Sequence, residues 1–264
     1  MKFKDKVIWI TGAASGIGEA LAYQSVKYGA KLILSDIDEA RLKEVAVKCE
    51  EMNAEVLMIP LDLSSRESVE NSVPIALSHF NRVDVLINNG GISQRALTWE
   101  TSLEVDYRIM SINFFGAVIL TKALLPSMME HGDGYIAVTS SINGKFGFPL
   151  RSAYSASKHA VLGFFETLGI ELSGTNISVT VAMPGRVQTN ISYHSLTKDG
   201  TPHGVMDPGL AAGIPADVCA KKYMNAIYNR RREVLIGRKE LLLVHIRRFF
   251  PRIFFILARK LKTK

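Results

Sequence analysis

The sequence predicts an α/β protein, a doubly wound parallel sheet of about seven strands with helices on both faces. Short aliphatic runs alternate with longer segments of helical periodicity, which calls for parallel strands joined by helical crossovers. The first run ends in a glycine-spaced turn that opens directly into a helix. At 264 residues and 47% hydrophobic content, the chain is large enough to bury one sizeable core.

The elements follow in order. VIWIT (7–11) is a continuous apolar run suited to a strand covered on both faces. Helical periodicity occupies 17–29, and KLILS (31–35) supplies the second strand. Asp38 is placed to cap a helix over 38–51, which leads to a strand at EVLMI (55–59). A helix over 66–80 precedes VDVLI (83–87), and a long one over 103–130 precedes YIAVT (135–139). A helix over 153–173, then ISVTVA (177–182) and EVLIG (233–237), complete the pattern. Residues 1–237 form one domain on this reading, followed by a basic tail over 238–264.

Between the first strand and helix stands TGAASGIG (11–18), with glycines at 12, 16 and 18. Gly12, Gly16 and Gly18 permit a tight turn, close backbone approach to a pyrophosphate and close helix–strand packing, while the helix N-terminus favours an anion. A plain glycine-rich turn has the same spacing, so the residue after the second strand matters. Asp36 is placed to accept hydrogen bonds from ribose hydroxyls and to repel a 2′-phosphate, which favours NAD over NADP. Ile37 beside it offers no cation to reverse that preference.

In RSAYSASKHA (151–160), Tyr154 and Lys158 share a helix face one turn apart. A free phenol titrates at about 10, and an ammonium beside it favours the phenolate; a shift of three units corresponds to about 4 kcal/mol. A tyrosine so tuned exchanges a proton with an alcohol or carbonyl oxygen, the complement of hydride transfer at a nicotinamide. Ser140 and Ser141 leave the strand before it, where a hydroxyl can hold a substrate oxygen.

TGAASGIG, Asp36, DL at 62–63, NNGG at 88–91, Asn113, SS at 140–141, YSASK at 154–158 and PGRVQT at 184–189 together resemble the short-chain dehydrogenase/reductase superfamily, single-domain branch, over residues 5–237. NNGGISQRAL and SKHAVLGFF are further similar to steroid- and retinal-reductase-like members, including the member-7 group. The resemblance implies a Rossmann-type fold. It implies Tyr154 as general acid/base, Lys158 as its tuner and a ribose ligand, Ser141 as the substrate-orienting donor, and Asn113 as holder of a water leading from Lys158. It implies a dinucleotide held by Gly12, Ser15, Gly16, Ile17, Gly18, Asp36, Asp62, Asn88, Gly90, Tyr154, Lys158, Val187 and Thr189. The family usually has NNAG where this chain has Asn88-Asn89-Gly90-Gly91. It also implies a homodimer or homotetramer through the two long helices, and a substrate lid over 190–213.

Phe146, Phe148 and the lid residues Tyr193, His194, Leu196, His203 and Met206 suit a lipophilic substrate of steroid, retinoid-like or fatty-acyl type. The net charge of +7 is uneven: Arg238 to Lys264 hold nine Lys or Arg against one acid, Glu240, so the tail carries +8 and the rest −1. That distribution argues against nucleic-acid binding by the domain. The tail interleaves basic and apolar residues, which fits a helix in a membrane interface divided by Pro251, or equally a tail packed across the domain or a sister subunit. Two distant cysteines, Cys49 and Cys219, give neither a disulfide framework nor a metal site. The N-terminus lacks a secretory h-region, so the expected location is cytoplasmic, with peripheral membrane association through the tail. Two other functions compete: a protein that binds NAD(H) as a sensor or docks on membranes without useful turnover, and a nucleotide-sugar epimerase, for which little chain remains to build a sugar domain.

Overall fold

The computed structural model describes residues 2–260; Lys262 and Lys264 of the tail lie outside the described residues. Its elements are β1 (Val7–Thr11), α1 (Gly16–Lys27), β2 (Lys31–Ser35), α2 (Glu39–Glu51), β3 (Val56–Met58), α3 (Arg66–Phe80) and β4 (Val85–Asn88). There follow α4 (Leu103–Met110), a π-helical turn (Ser111–Phe115), α5 (Gly116–His131), β5 (Gly134–Thr139) and α6 (Ser152–Glu171). The chain continues through β6 (Ile177–Pro184), α7 (Pro208–Ala211), α8 (Ala216–Tyr228), β7 (Glu233–Ile236), α9 (Leu242–Phe249) and α10 (Pro251–Lys260).

All seven strands pair in parallel in the order β3-β2-β1-β4-β5-β6-β7. The order reverses between β1 and β4, and a crevice opens at the carboxyl ends of strands at such a switch point. Along β1 the side chains alternate faces, as a strand requires. Ile8 and Ile10 join a core with Leu21, Leu34, Tyr223 and Ile227 on the face covered by α1 and α8. Val7 and Trp9 join a core with Leu120, Leu124 and Phe165 on the face covered by α5 and α6.

Local signals explain most boundaries. Asp38 caps α2 by accepting from the Arg41 amide at 3.0 Å, as its position predicts. Gly132 ends α5 in the left-handed conformation at φ +70°. From Leu103 to His131 the helical path is continuous and, by length and composition, long and apolar enough to cross a bilayer. Here its Ala117, Leu120, Leu124 and Met128 stripe is buried in the core instead. The lid region is more ordered than its turn-rich sequence suggests, because Leu196 bridges to Gln94 and Pro202 and Asp207 caps α7.

The tail forms two helices, and Pro251 divides them by starting the second. Phe254 is buried against Phe146, with ring centroids 5.0 Å apart, so one face packs across the domain. Phe249, Phe250, Ile253, Phe255 and Ile256 remain exposed on the other.

Candidate active site

The turn after β1 is built by backbone constraints. Gly12 and Gly16 have φ of +66° and +57°, where a side chain is strained. A Cβ on Gly12 would stand 2.6 Å from Gly90 Cα, and one on Gly18 would stand 1.8 Å from the Gly12 carbonyl oxygen. Gly18 therefore serves packing beneath the turn, while Gly12, Ser15, Gly16 and Ile17 face a cavity of about 860 Å³. Ser15 is the extended residue preceding α1, whose first amides open toward that space.

The cavity runs along the strand ends from Asp36 past the glycine turn to Tyr154, Phe146 and Phe148. At its first end the Asp36 carboxylate accepts from the Ala14 amide at 3.0 Å and from the Asp38 amide at 3.2 Å. Arg41, five residues on, also lines this end but pairs with Glu44 at 2.7 Å. Asp62 lines the wall too, its carboxylate accepting from the Ser64 amide and hydroxyl. Gly90, Val187 and Thr189 complete the middle, Thr189 with its methyl 3.0 Å from where a Gly16 Cβ would lie.

Asn88 is placed differently from the sequence expectation. It ends β4 with its amide donating to Thr121 of α5 at 2.9 Å, directed away from the cavity. Asn89 does the supporting work: its amide group donates to the Thr11 and Gly12 carbonyls, and its oxygen accepts from Thr139. Adjacent residues leaving a strand point to opposite faces, and spacing alone does not reveal which one faces the crevice. Gly90, in place of the family's alanine, keeps its amide bonded to the Thr11 hydroxyl at 3.1 Å, so the turn is held.

At the other end, Ser141, Tyr154 and Lys158 converge on the cavity. Lys158 is 3% exposed, donates to the Thr139 carbonyl at 2.8 Å and lies 5.8 Å from the Tyr154 ring centre. Burial lowers its ammonium to about 8. Tyr154 is raised above the ordinary phenol value by burial, with the Ser141 hydroxyl and the Arg151 charge pulling it back. The phenol thus stands above its ordinary value, opposite to the sequence expectation, with the Lys158 ammonium turned toward the Thr139 carbonyl. Of the two serines, Ser140 donates to the Lys158 carbonyl at 2.8 Å, while the Ser141 hydroxyl makes only a longer bond to the Pro184 carbonyl at 3.4 Å and accepts from the Asn143 amide.

Asn113 lies in the π-helical turn, a distortion that often accompanies functional positions. Its oxygen accepts from the Ile92 amide at 2.8 Å, and its amide donates to the Ile92 carbonyl and the Ser157 hydroxyl. It thereby fastens the loop after β4 to α6, one residue from Lys158. Of the lid residues, His194 lines the cavity, Leu196 is buried with Val105, Ile109 and Ala153, and Tyr193, His203 and Met206 do not line it. Two contributors escaped sequence reasoning. Arg151, the residue leading into α6 and three before Tyr154, lines the cavity; its signal was present in RSAYSASK. Glu240 and Leu243 bring the tail to the rim, where Glu240 accepts from the Arg186 and Arg238 amides at 3.0 and 3.1 Å. Among the described residues no cluster of His, Cys, Asp and Glu could hold a metal ion.

The family model described as short chain dehydrogenase matches residues 6–199. The chain is similar to dehydrogenase/reductase SDR family member 7B of Xenopus laevis, at 41% identity over 98% of this chain and 82% of that protein. It is also similar to dehydrogenase/reductase SDR family protein 7-like of Drosophila melanogaster, at 37% identity over 98% of this chain and 81% of that one. Among solved structures, a short chain dehydrogenase/reductase from Burkholderia phymatum in complex with NAD superposes with a TM-score of 0.86, 27% identity and 96% of each chain covered. An alcohol dehydrogenase from the archaeon Thermococcus sibiricus complexed with 5-hydroxy-NADP superposes with a TM-score of 0.76 and 27% identity, covering 89% of this chain and 97% of that one.

Proposed function

Because the chain belongs to the short-chain dehydrogenase/reductase family and is an oxidoreductase with that family's NAD(P)-binding fold, we propose that it interconverts a hydroxyl and a carbonyl on a lipophilic substrate with NAD as its cofactor. The observation that carries this reading is a single cavity joining the glycine turn and Asp36 at one end to Ser141, Tyr154, Phe146 and Phe148 at the other. The residues fit a dinucleotide: the cradle is formed by glycines at which a Cβ would collide, and the Asp36 carboxylate is anchored where a ribose would lie.

Bound nicotinamide would supply or accept the hydride. The chain's part is proton transfer and positioning. The Tyr154 phenol exchanges its proton with the substrate oxygen, and Ser141 donates a hydrogen bond that holds that oxygen beside it. Lys158 lends positive charge and would hold the nicotinamide ribose. Asn113 keeps the Ile92 loop against α6 and would position a water leading from Lys158. Val187 and Thr189 would hold the carboxamide and Asp62 the adenine end, while Asn88 supports the pocket from beneath, through Thr121.

The preference for NAD rests on Asp36 and on Arg41 being paired with Glu44. Phe146, Phe148 and Leu243 favour an apolar substrate body. We place the protein in the cytoplasm at a membrane surface, with the exposed face of α9 and α10 in the interface and its arginines at anionic headgroups, as a homodimer or homotetramer through α5 and α6. On this reading residues 1–237 are the catalytic domain, and the tail over 238–264 serves surface contact while lending Glu240 and Leu243 to the cavity. The test is turnover of a panel of lipophilic alcohols with NAD⁺ and with NADP⁺, with sedimentation of the full chain on anionic vesicles. Turnover confined to NADP⁺, or to small polar alcohols, contradicts the reading.

A further inference from the structure

Arg95 in the loop after β4 and Arg151 at the start of α6 converge on one carboxylate, Asp207 of the lid. Both are well covered, with side chains 7% and 17% exposed. Arg151 donates to Asp207 at 3.1 Å, and the Nε of each arginine is buried without a partner among the described residues. A latch holding the lid needs one cation for one anion. The second guanidinium leaves a positive charge and unused donors in a poorly solvated site, an arrangement that costs stability unless something anionic completes it.

That charge sits on the substrate side. Arg151 directly precedes α6, three residues before Tyr154, and both side chains line the cavity. The Arg151 guanidinium lies 5.6 Å over the Phe148 ring, and Arg108 and Arg186 line the same cavity. The other acids of the cavity wall are disposed elsewhere: Asp36, Asp38 and Asp62 belong to the dinucleotide end, and Glu240 is committed to the Arg186 and Arg238 amides. Leu150, directly before Arg151, is held at φ +63° with its carbonyl accepting from the Ala96 amide, so the backbone carries strain where it presents this arginine.

We propose that Arg151, backed by Arg95 across Asp207, binds an anionic group of the substrate, a phosphate or a carboxylate, a few bonds from the carbon that reacts. The substrate is then an anionic amphiphile, its chain against Phe146, Phe148 and Leu243. This deepens the reading of Tyr154 as acid/base and rests on it.

Octyl phosphate and 1-octanol, titrated calorimetrically into the protein saturated with NADH, separate the two ideas. Octyl phosphate is expected to bind at least about tenfold more tightly, as a charge-assisted hydrogen-bonded pair should. Arg151→Leu removes that preference, and Arg151→Lys restores part of it. Asp207→Asn, which removes the competing carboxylate, raises octyl phosphate affinity above wild type, an outcome that a purely structural role for the three residues does not predict. Equal binding of the two probes by wild type overturns the proposal while leaving a lipophilic oxidoreductase standing. So does a preference that survives Arg151→Leu, which would locate the anion on the basic tail. The kinetic counterpart compares 3-hydroxydodecanoate with its methyl ester: a lower KM for the acid, lost in Arg151→Leu, supports the assignment, and equal KM values refute it even where both compounds turn over.

Discussion

Replacing Lys158 by Met should make the protein more stable and inactive. The side chain is buried, makes one hydrogen bond, to the Thr139 carbonyl, and has no carboxylate partner among the described residues. Its ammonium falls from 10.5 to about 8 through burial, which corresponds to about 3 kcal/mol of cost to the folded state at neutral pH. Met fills similar space without the charge, while the orphaned Thr139 carbonyl returns roughly 1 kcal/mol of loss, leaving a net gain of about 2 kcal/mol. The sign fixes the pH dependence. A depressed folded value means that the folded state sheds the proton first, so wild-type stability from this group is full above 10.5 and lost as pH falls through about 8. The gap between variant and wild type, read by urea unfolding without cofactor, is therefore widest at pH 7 and narrows toward pH 10. A variant no more stable than wild type at pH 7, or a gap that grows with pH, refutes the reasoning.

Three other substitutions or probes test the site. Gly12→Ala should abolish NADH binding and cost several kcal/mol of stability, since it combines a positive φ with a Cβ 2.6 Å from Gly90 Cα; a variant that binds NADH normally would show that the turn is not the cradle. Asp36→Ala should raise kcat/KM with NADP⁺ relative to NAD⁺ by about tenfold or more, a charge repulsion removed, and an unchanged ratio places cofactor choice elsewhere. Cys49 and Cys219 are buried, with thiols pushed up to about 12, so a thiol reagent should label neither in the native protein and both in denaturant; rapid native labelling contradicts the packing of α2 and α8.

Much of this was legible in the chain. VIWIT and KLILS became strands at their predicted residues because runs buried on both faces have no competing pattern, and EVLMI shortened to three residues because β3 is an edge strand with one partner. The glycine turn, Ser141, Tyr154 and Lys158 came together because each sits at a strand end or on one helix stripe, where spacing dictates position. Orientation at a strand exit was not legible, so Asn89 took the inward place expected of Asn88. The tail's division at Pro251 followed from proline chemistry, whereas the choice of Phe254 rather than Phe255 to meet Phe146 depends on the docking angle of a helix the domain must first exist to receive. Arg151 was visible as the residue one turn before Tyr154, but its value emerged only once Asp207 arrived from a segment more than fifty residues away.

The central claim is that Tyr154 moves the proton while the rest of the cavity holds the cofactor. The direct test measures NAD⁺-dependent turnover of a lipophilic alcohol and NADH affinity in wild type and Tyr154→Phe. The account predicts that turnover falls by about 10² to 10⁴ in the variant while NADH affinity stays largely intact. Turnover that survives the loss of the hydroxyl would contradict it.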